Sequence, residues 1–273
     1  SSFNQTIAAT GRLSSTNPNF QNIPVRTELG RDIRKAFRPQ ASGWKILAAD
    51  YSPIELRLMA QYSKDKRLIE AFKNGEDIHT ATAAHVFGTN LFGVSDDPRR
   101  RAKVVNFGIM YGAGPFRMSN ELEISRGEAA ELISDYFNTY PGIRNYLDET
   151  IEFARENKFV QTLFGRKRPV PDIDASNRMS REGAERIATN MPIQGTAADI
   201  IKLAMIQVHK RIKAEGLKSK MILQVHDELV FEVPDDEIET LTLLVRETME
   251  HAVDLDIPLT VDIGIGDNWL EAH

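Results

Sequence analysis

Apolar positions change period twice along this chain. Residues 45–49 (KILAA) form a short unbroken apolar run after Gly43, which predicts a buried strand ending at Asp50. Ser52, Pro53 and Glu55 then fit N-cap, N1 and N3 of a helix continued by Leu56, Met59 and Ala60. From residue 63 to 160 the period is helical. Residues 64–75, 77–88, 97–112, 125–140 and 142–158 each read as a helix, most ending near Gly, Asn or Pro. Residues 161–175 contain FGRKRPVPD and read as a basic, proline-broken loop, and 179–215 as a helical pattern interrupted at Pro192 and Gly195. The period then shortens. Met221–Val225 and Leu229–Val233 predict a β-hairpin with His226, Asp227 and Glu228 at its tip. Residues 241–253 follow as a helix and 259–265 as a closing strand. Residues 1–43, rich in Ser, Asn, Gly and Pro, read as loops with short elements. Strands near both ends around a helical block predict an α+β fold with an all-helical insertion.

Composition narrows the class. With 273 residues, 41% apolar and 27% charged, the chain suits one large or two smaller globular domains. The absence of cysteine excludes disulfides, thiol catalysis and Cys-ligated zinc. No apolar run reaches membrane-spanning length, and the polar start SSFNQTIAAT has no signal-peptide character, so no membrane partner is expected. The start also lacks Met, the pattern expected of a piece of a longer protein. The net charge of −5 conceals an asymmetry. Residues 232–273 hold twelve acids against Arg246 and carry −11, which leaves +6 on residues 1–231. Basic residues gather as Arg26, Arg31, Arg34, Lys35 and Arg38; as Arg99, Arg100, Arg101 and Lys103; and as Arg166, Lys167 and Arg168. Such clusters either track phosphates locally or form solvated surfaces.

Three constellations carry candidate chemistry. Asp50 at a strand end and Asp227 at a hairpin tip are placed as carboxylates that hold Mg²⁺, although many strand-end aspartates only form turns. Two ions on such a pair can activate an attacking oxygen and steady a leaving one. Arg99, Lys103, Phe107 and Tyr111 recur every four residues, two cations and then two aromatics along one helix face. Cations suit a triphosphate and aromatic faces a sugar and a base; the competing reading is an ordinary amphipathic helix. Gly108 and Gly112 permit close approach or a bend there. Arg186, Asn190 and Gln194 share a second face, suited either to duplex edges and sugars or to solvent.

Five segments in order carry a resemblance: TGRLSSTNPNFQNIPVRT (10–27), DYSPIELRLMA (50–60), RRRAKVVNFGIMYG (99–112), ERIATNMPIQGTAADIIK (185–202) and QVHDELVFEV (224–233). Together they resemble the C-terminal polymerase portion of family A DNA polymerases. The resemblance implies an antiparallel palm sheet with flanking helices plus a helical fingers insertion: palm over 1–55, fingers over 56–185 and palm again over 186–273. The family's thumb and exonuclease-like domains are missing from this chain and are expected as partners. It implies template-directed addition of deoxynucleotides to a primer 3′-end, with primer-template DNA and dNTP as partners and two Mg²⁺ ions, replaceable by Mn²⁺, on Asp50, Asp227 and the Tyr51 carbonyl. Arg99 and Lys103 would grip the triphosphate, Lys103 also protonating the leaving pyrophosphate, with His79 approaching it. Phe107 would pack near the sugar, Tyr111 near the template base, and Glu55 would be a steric gate against a ribose 2′-hydroxyl. Arg12, Gln21, Asn22, Arg186, Asn190, Gln194 and His226 would lie along the DNA, with Glu228 an accessory acid. A bacterial member is expected in the cytoplasm, associated with the nucleoid.

Position 53 departs from the family: it is Pro, where most members carry Gln. Pro fits N1, so the strand-to-helix turn is expected to survive while any polar contact of that Gln is lost. Two enzymatic alternatives are weaker. A single-subunit RNA polymerase conflicts with a bulky Glu55, and a two-metal nuclease leaves Lys103, Phe107 and Tyr111 without a task. A third alternative is a nucleic-acid-binding fragment inactive without its missing N-terminal domains.

Overall fold

The structure, a computed structural model, describes residues 1–24, 27–88 and 96–273. Arg26 of the first basic cluster lies outside them. In chain order, β1 (Ser2–Asn4) pairs antiparallel with β2 (Ser14–Thr16). Helix α1 (Glu28–Ala36), capped by the Thr27 side chain, leads to β3 (Trp44–Tyr51). Among the described residues seven helices follow: α2 (Ile54–Ser63), α3 (Lys66–Lys73), α4 (Ile78–Phe87), α5 (Asp96–Met110), α6 (Pro115–Leu122), α7 (Arg126–Thr139) and α8 (Pro141–Asn157). A hairpin of β4 (Phe159–Gln161) and β5 (Lys167–Pro169) precedes the long α9 (Arg178–Ala214). The chain closes with β6 (Lys220–Val225), β7 (Glu228–Pro234), α10 (Ile238–Glu250) and β8 (Val261–Gly266).

Two compact units result. One comprises residues 1–54, 197–255 and 259–273; the other comprises 55–196 and 256–258. The first is built on an antiparallel sheet in the order β6-β7-β3-β8. Ile46 and Ala48 of β3 pack with Val225, Val230 and Trp269 on one face. On the other, α10 packs against β3, and the Tyr51 hydroxyl donates to the Met249 carbonyl at 2.7 Å. Burial on both faces explains why β3 reads as an unbroken apolar run rather than an alternating one.

Among its described residues, the second unit is helical except for the β4–β5 hairpin and the loops between elements. Its helix starts follow local chemistry: Asp65 and Asp77 cap α3 and α4, and Ser125 with Glu128 forms a capping box on α7. A separate core joins Ala154, Val160, Val170, Ile173, Ala184, Ala188 and Met191. Gly108 lets α6 approach α5, since a Cβ there would meet the Met118 methyl at 2.8 Å. Gly112, with φ +71°, follows the end of α5 in a conformation that suits glycine.

Several local expectations are corrected. The region 161–175 is not all loop: Phe159–Gln161 pairs with Lys167–Pro169, so the helical block carries one small hairpin. Pro192 does not interrupt α9, which continues to Ala214. An interior proline costs about 3 kcal/mol, offset here by burial of Ala188, Met191, Ile193 and Ala197. Helix α2 starts at Ile54, so Ser52 and Pro53 form the turn before it. The turn survives Pro53, with the Ser52 amide bonded to the Thr260 carbonyl at 3.0 Å. Helix α6 was not anticipated.

Candidate active site

In the sheet unit, strand register assembles the acids. Asp50 lies opposite Glu228 on β7 and Asp262 on β8. His226 and Asp227 form the whole β6–β7 connection, with His226 at φ +56°. The Tyr51 amide donates to the Asp227 carbonyl at 3.2 Å, which ties the hairpin tip to the end of β3. Asp50 and Asp227, far apart in sequence, are thus neighbours.

The electrostatics call for a cation. Like charges directly opposite across strands repel. Asp50 Oδ1 is buried and makes no hydrogen bond. Burial foremost, then the charges of Asp227 and Glu228, push the Asp50 carboxyl up to about 7. A buried, unsatisfied carboxylate oxygen beside a second aspartate fits a hard divalent ion. Among the described residues no group of three or more His, Cys, Asp or Glu side chains forms a metal cage. Two carboxylates suit Mg²⁺, which keeps waters and substrate oxygens as its other ligands. Glu228 is held elsewhere: the Trp269 indole donates to it at 2.8 Å, and His273 Nδ1 lies 3.5 Å away. The Arg34 guanidinium stacks 4.2 Å from the Trp269 ring centroid.

In the helical unit, the two aromatics of the four-residue spacing join His79 and Glu55 in one cluster, and the cations stand apart from it. Phe107 and Tyr111 stack with centroids 6.3 Å apart, and Phe107 lies 5.8 Å from the His79 ring. Tyr111 stands just past the end of α5, and its hydroxyl donates to the Glu55 carboxylate. Arg99 makes a two-pronged pair with Asp77 at 3.1 and 2.7 Å. Burial pulls Asp77 upward, but Arg99 and the Thr80 amide and hydroxyl outweigh it and hold the carboxyl down to about 2. Lys103 is exposed on the same helix. The cations therefore stand outside while the aromatics are half-buried in line with them.

The remaining candidates divide between the units. Gln21 donates to the Gln224 side chain at 3.0 Å and accepts from the Ser15 amide at 3.1 Å; Arg12 is half-buried, and Asn22 and His226 are exposed. On α9, Arg186 is exposed and packs at Gly112, and Asn190 Oδ1 is buried without a partner. Gln194 is half-buried. Arg186 also lines an open cleft of about 500 Å³ with Ile109, Phe116, Arg144 and Asp148. Sequence spacing missed Asp262, Trp269, Asp77 and Asn106. Only Asp77 left a signal, as the acid before the α4 helix.

Comparison with known proteins decides the family. The family model described as DNA polymerase family A matches residues 1–271. The chain belongs to DNA polymerase family A. It is 53% identical over 269 residues to DNA polymerase I of Caldicellulosiruptor bescii, covering 98% of this chain and 32% of that protein. It is also 53% identical over 270 residues to the thermostable DNA polymerase I of Thermus filiformis, covering 99% and 32%. The chain thus spans about a third of the length of these relatives. A solved structure of the POL domain of Pol1 from M. smegmatis, in complex with DNA primer-template and dNTP, matches with a TM-score of 0.95 and 50% identity over 99% of this chain and 48% of that one. The α+β architecture accords with a family A polymerase domain. Among the described residues, no helix is long and apolar enough to cross a membrane.

Proposed function

We propose that this chain carries the nucleotidyl-transfer centre of a DNA-directed DNA polymerase, with primer-template DNA and dNTP as its partners. The carrying observation is the junction of Asp50 and Asp227: two acids joined by strand register and the Tyr51–Asp227 backbone bond, one with a buried oxygen lacking any donor. Asp50, Asp227 and the Tyr51 carbonyl would hold two Mg²⁺ ions, or Mn²⁺ in their place. Bound there, the ions would lower the pKa of the primer hydroxyl and offset charge on the departing pyrophosphate.

The chain's own side chains supply the rest. Arg99 presents a fork matched to phosphate oxygens and Lys103 a point charge. Lys103 delivers a proton to the leaving pyrophosphate. Phe107 and Tyr111 offer parallel rings to the sugar and template base, and Glu55, fixed by the Tyr111 hydroxyl, fills the space of a ribose 2′-hydroxyl. Arg12, Gln21, Asn22, Arg186, Asn190, Gln194 and His226 line the DNA, and Glu228 is the accessory acid. Palm segments over 1–55 and 186–273 and fingers over 56–185 complete the assignment. The chain covers about a third of its relatives; the thumb and exonuclease-like domains that the resemblance implies would be its partners, the thumb adding duplex grip. In a bacterium the work is done at the nucleoid.

The test is single-nucleotide primer extension by this chain with Mg²⁺ and then Mn²⁺, alongside a salt titration of primer-template binding. Template-dependent incorporation that disappears in Asp50→Ala and Asp227→Ala supports the reading. Binding without incorporation under both metals favours the binding-fragment alternative, for which the chain's one-third coverage of its relatives speaks.

A further inference from the structure

His79 is buried in the helical unit, and its ring is held by a residue that the proposed chemistry does not use. Asn106, on α5, is itself 1% exposed, and its Nδ2 lies 3.0 Å from His79 Nδ1. The Asn106 amide packs in turn against Thr82. Thr82 Oγ1, on α4, is 3.2 Å from Asn106 Oδ1 and 3.1 Å from Nδ2, and 3.2 Å from the Tyr140 hydroxyl. Thr82 and Tyr140 are also buried, so this chain of contacts is shielded from water. Buried polar networks of this kind lock the groups they satisfy into one arrangement.

An amide nitrogen only donates, so the ring nitrogen facing it must accept and carry no proton. The single proton of a neutral imidazole then sits on Nε2. We propose that Asn106 is a positioning residue that fixes His79 as the neutral Nε2–H tautomer, so that His79 meets a triphosphate oxygen as a hydrogen-bond donor without adding charge. This rests on the reading of His79 as a triphosphate contact. The surrounding charges agree with it. Burial foremost lowers the His79 pKa, to about 4; Asp77 at the start of its own helix opposes this, and Lys103 and Arg99 from α5 add to it. The phosphate charge is thus left to Arg99 and Lys103, while His79 contributes direction that does not vary across neutral pH.

The experiment is ¹⁵N-histidine NMR of the full chain from pH 5 to 8, with the His79 signal assigned by its loss in His79→Ala. The wild type is expected to show the Nε2–H pattern throughout. Asn106→Asp keeps the size of the side chain but replaces the donor with an acceptor, so the ring is expected to switch to Nδ1–H or become protonated. The KM for dNTP is expected to rise about five- to tenfold in Asn106→Asp, as for loss of one hydrogen bond, with kcat changed less than about twofold. Adding Asn106→Ala to His79→Ala is expected to raise KM no further, because the two act as a unit. A wild-type Nδ1–H signal, an Asn106→Asp ring and KM equal to wild type, or additive KM effects would each overturn the positioning role. The first needs no variant to fold. If His79→Ala itself leaves KM unchanged, the triphosphate reading falls and the inference with it, whatever the tautomer.

Discussion

The two units hold their candidate functional groups in different ways. In the sheet unit, backbone pairing places the acids: Asp50 opposite Glu228 and Asp262, and Asp227 through the Tyr51 amide. In the helical unit, side chains hold side chains: Arg99 by Asp77, Tyr111 by Glu55 and His79 by Asn106. A ladder fixes position whatever ligand is bound. An exposed pair such as Arg99–Asp77 can exchange its partner for a phosphate at small cost, whereas the buried Asn106 contact keeps the His79 ring in place. On the proposed reading, groups that must sit still are built into strands, and the cations that would grip and release a substrate stand on a helix face.

The largest test of this contrast removes an acid. Asp50→Ala or Asp227→Ala is expected to lower single-nucleotide incorporation by about 10³-fold or more, since several kcal/mol of transition-state charge stabilisation are lost. Primer-template affinity, measured by fluorescence anisotropy, is expected to stay near wild type. In the helical unit, Glu55→Ala is expected to raise the ratio of rNTP to dNTP incorporation by about 10–10²-fold; an unchanged ratio removes Glu55 as the gate.

Stability sharpens the same point. Asp50 titrates at about 7 in the fold against 3.8 unfolded, so the folded state binds the extra proton between those values. Without divalent ions, stability is expected to fall as pH rises through that window. Asp50→Asn is expected to flatten the slope and raise the melting temperature at pH 8, by about 2–4 °C for each kcal/mol relieved. Thermal melts with EDTA at pH 4.5 and 8 check this, and Mg²⁺ is expected to narrow the gap at pH 8. Trp269→Phe keeps a ring for Arg34 but removes the indole donor to Glu228, and is expected to cost about 1–3 kcal/mol in urea unfolding. The smallest effect is expected from Asp77→Asn, which retains the α4 cap but weakens the hold on Arg99. Both side chains of that pair are nearly half exposed, 47% and 43%. Such pairs are worth about 0–1 kcal/mol, so the KM for dNTP is expected to drop no more than about fivefold.

What could be read from sequence followed the locality of its cause. β3 was legible because burial on both faces leaves an unbroken apolar run, and α4 and α7 because their helical period runs out at Gly88 and Pro141. The β4–β5 hairpin was hidden, since Pro169 and the basic residues mask so short a pairing. The continuity of α9 through Pro192 depends on buried neighbours distant in sequence. At the site, Asp50, Asp227 and the Arg99–Tyr111 face showed as strand ends and helical spacing. The Trp269 hold on Glu228 and the Asn106 hold on His79 span 41 and 27 residues, and no local period records them.

The β6–β7 connection carries a practical consequence. Only His226 and Asp227 separate the strands, so the corner has no slack. Because side chains alternate with period two, one inserted residue that shifted the pairing would turn β7 over and send Glu228 and Val230 to the opposite face. Chemical identity at this corner is open to mutagenesis, but its length is not, and libraries that vary loop length here would scramble the strand before they sampled any new activity.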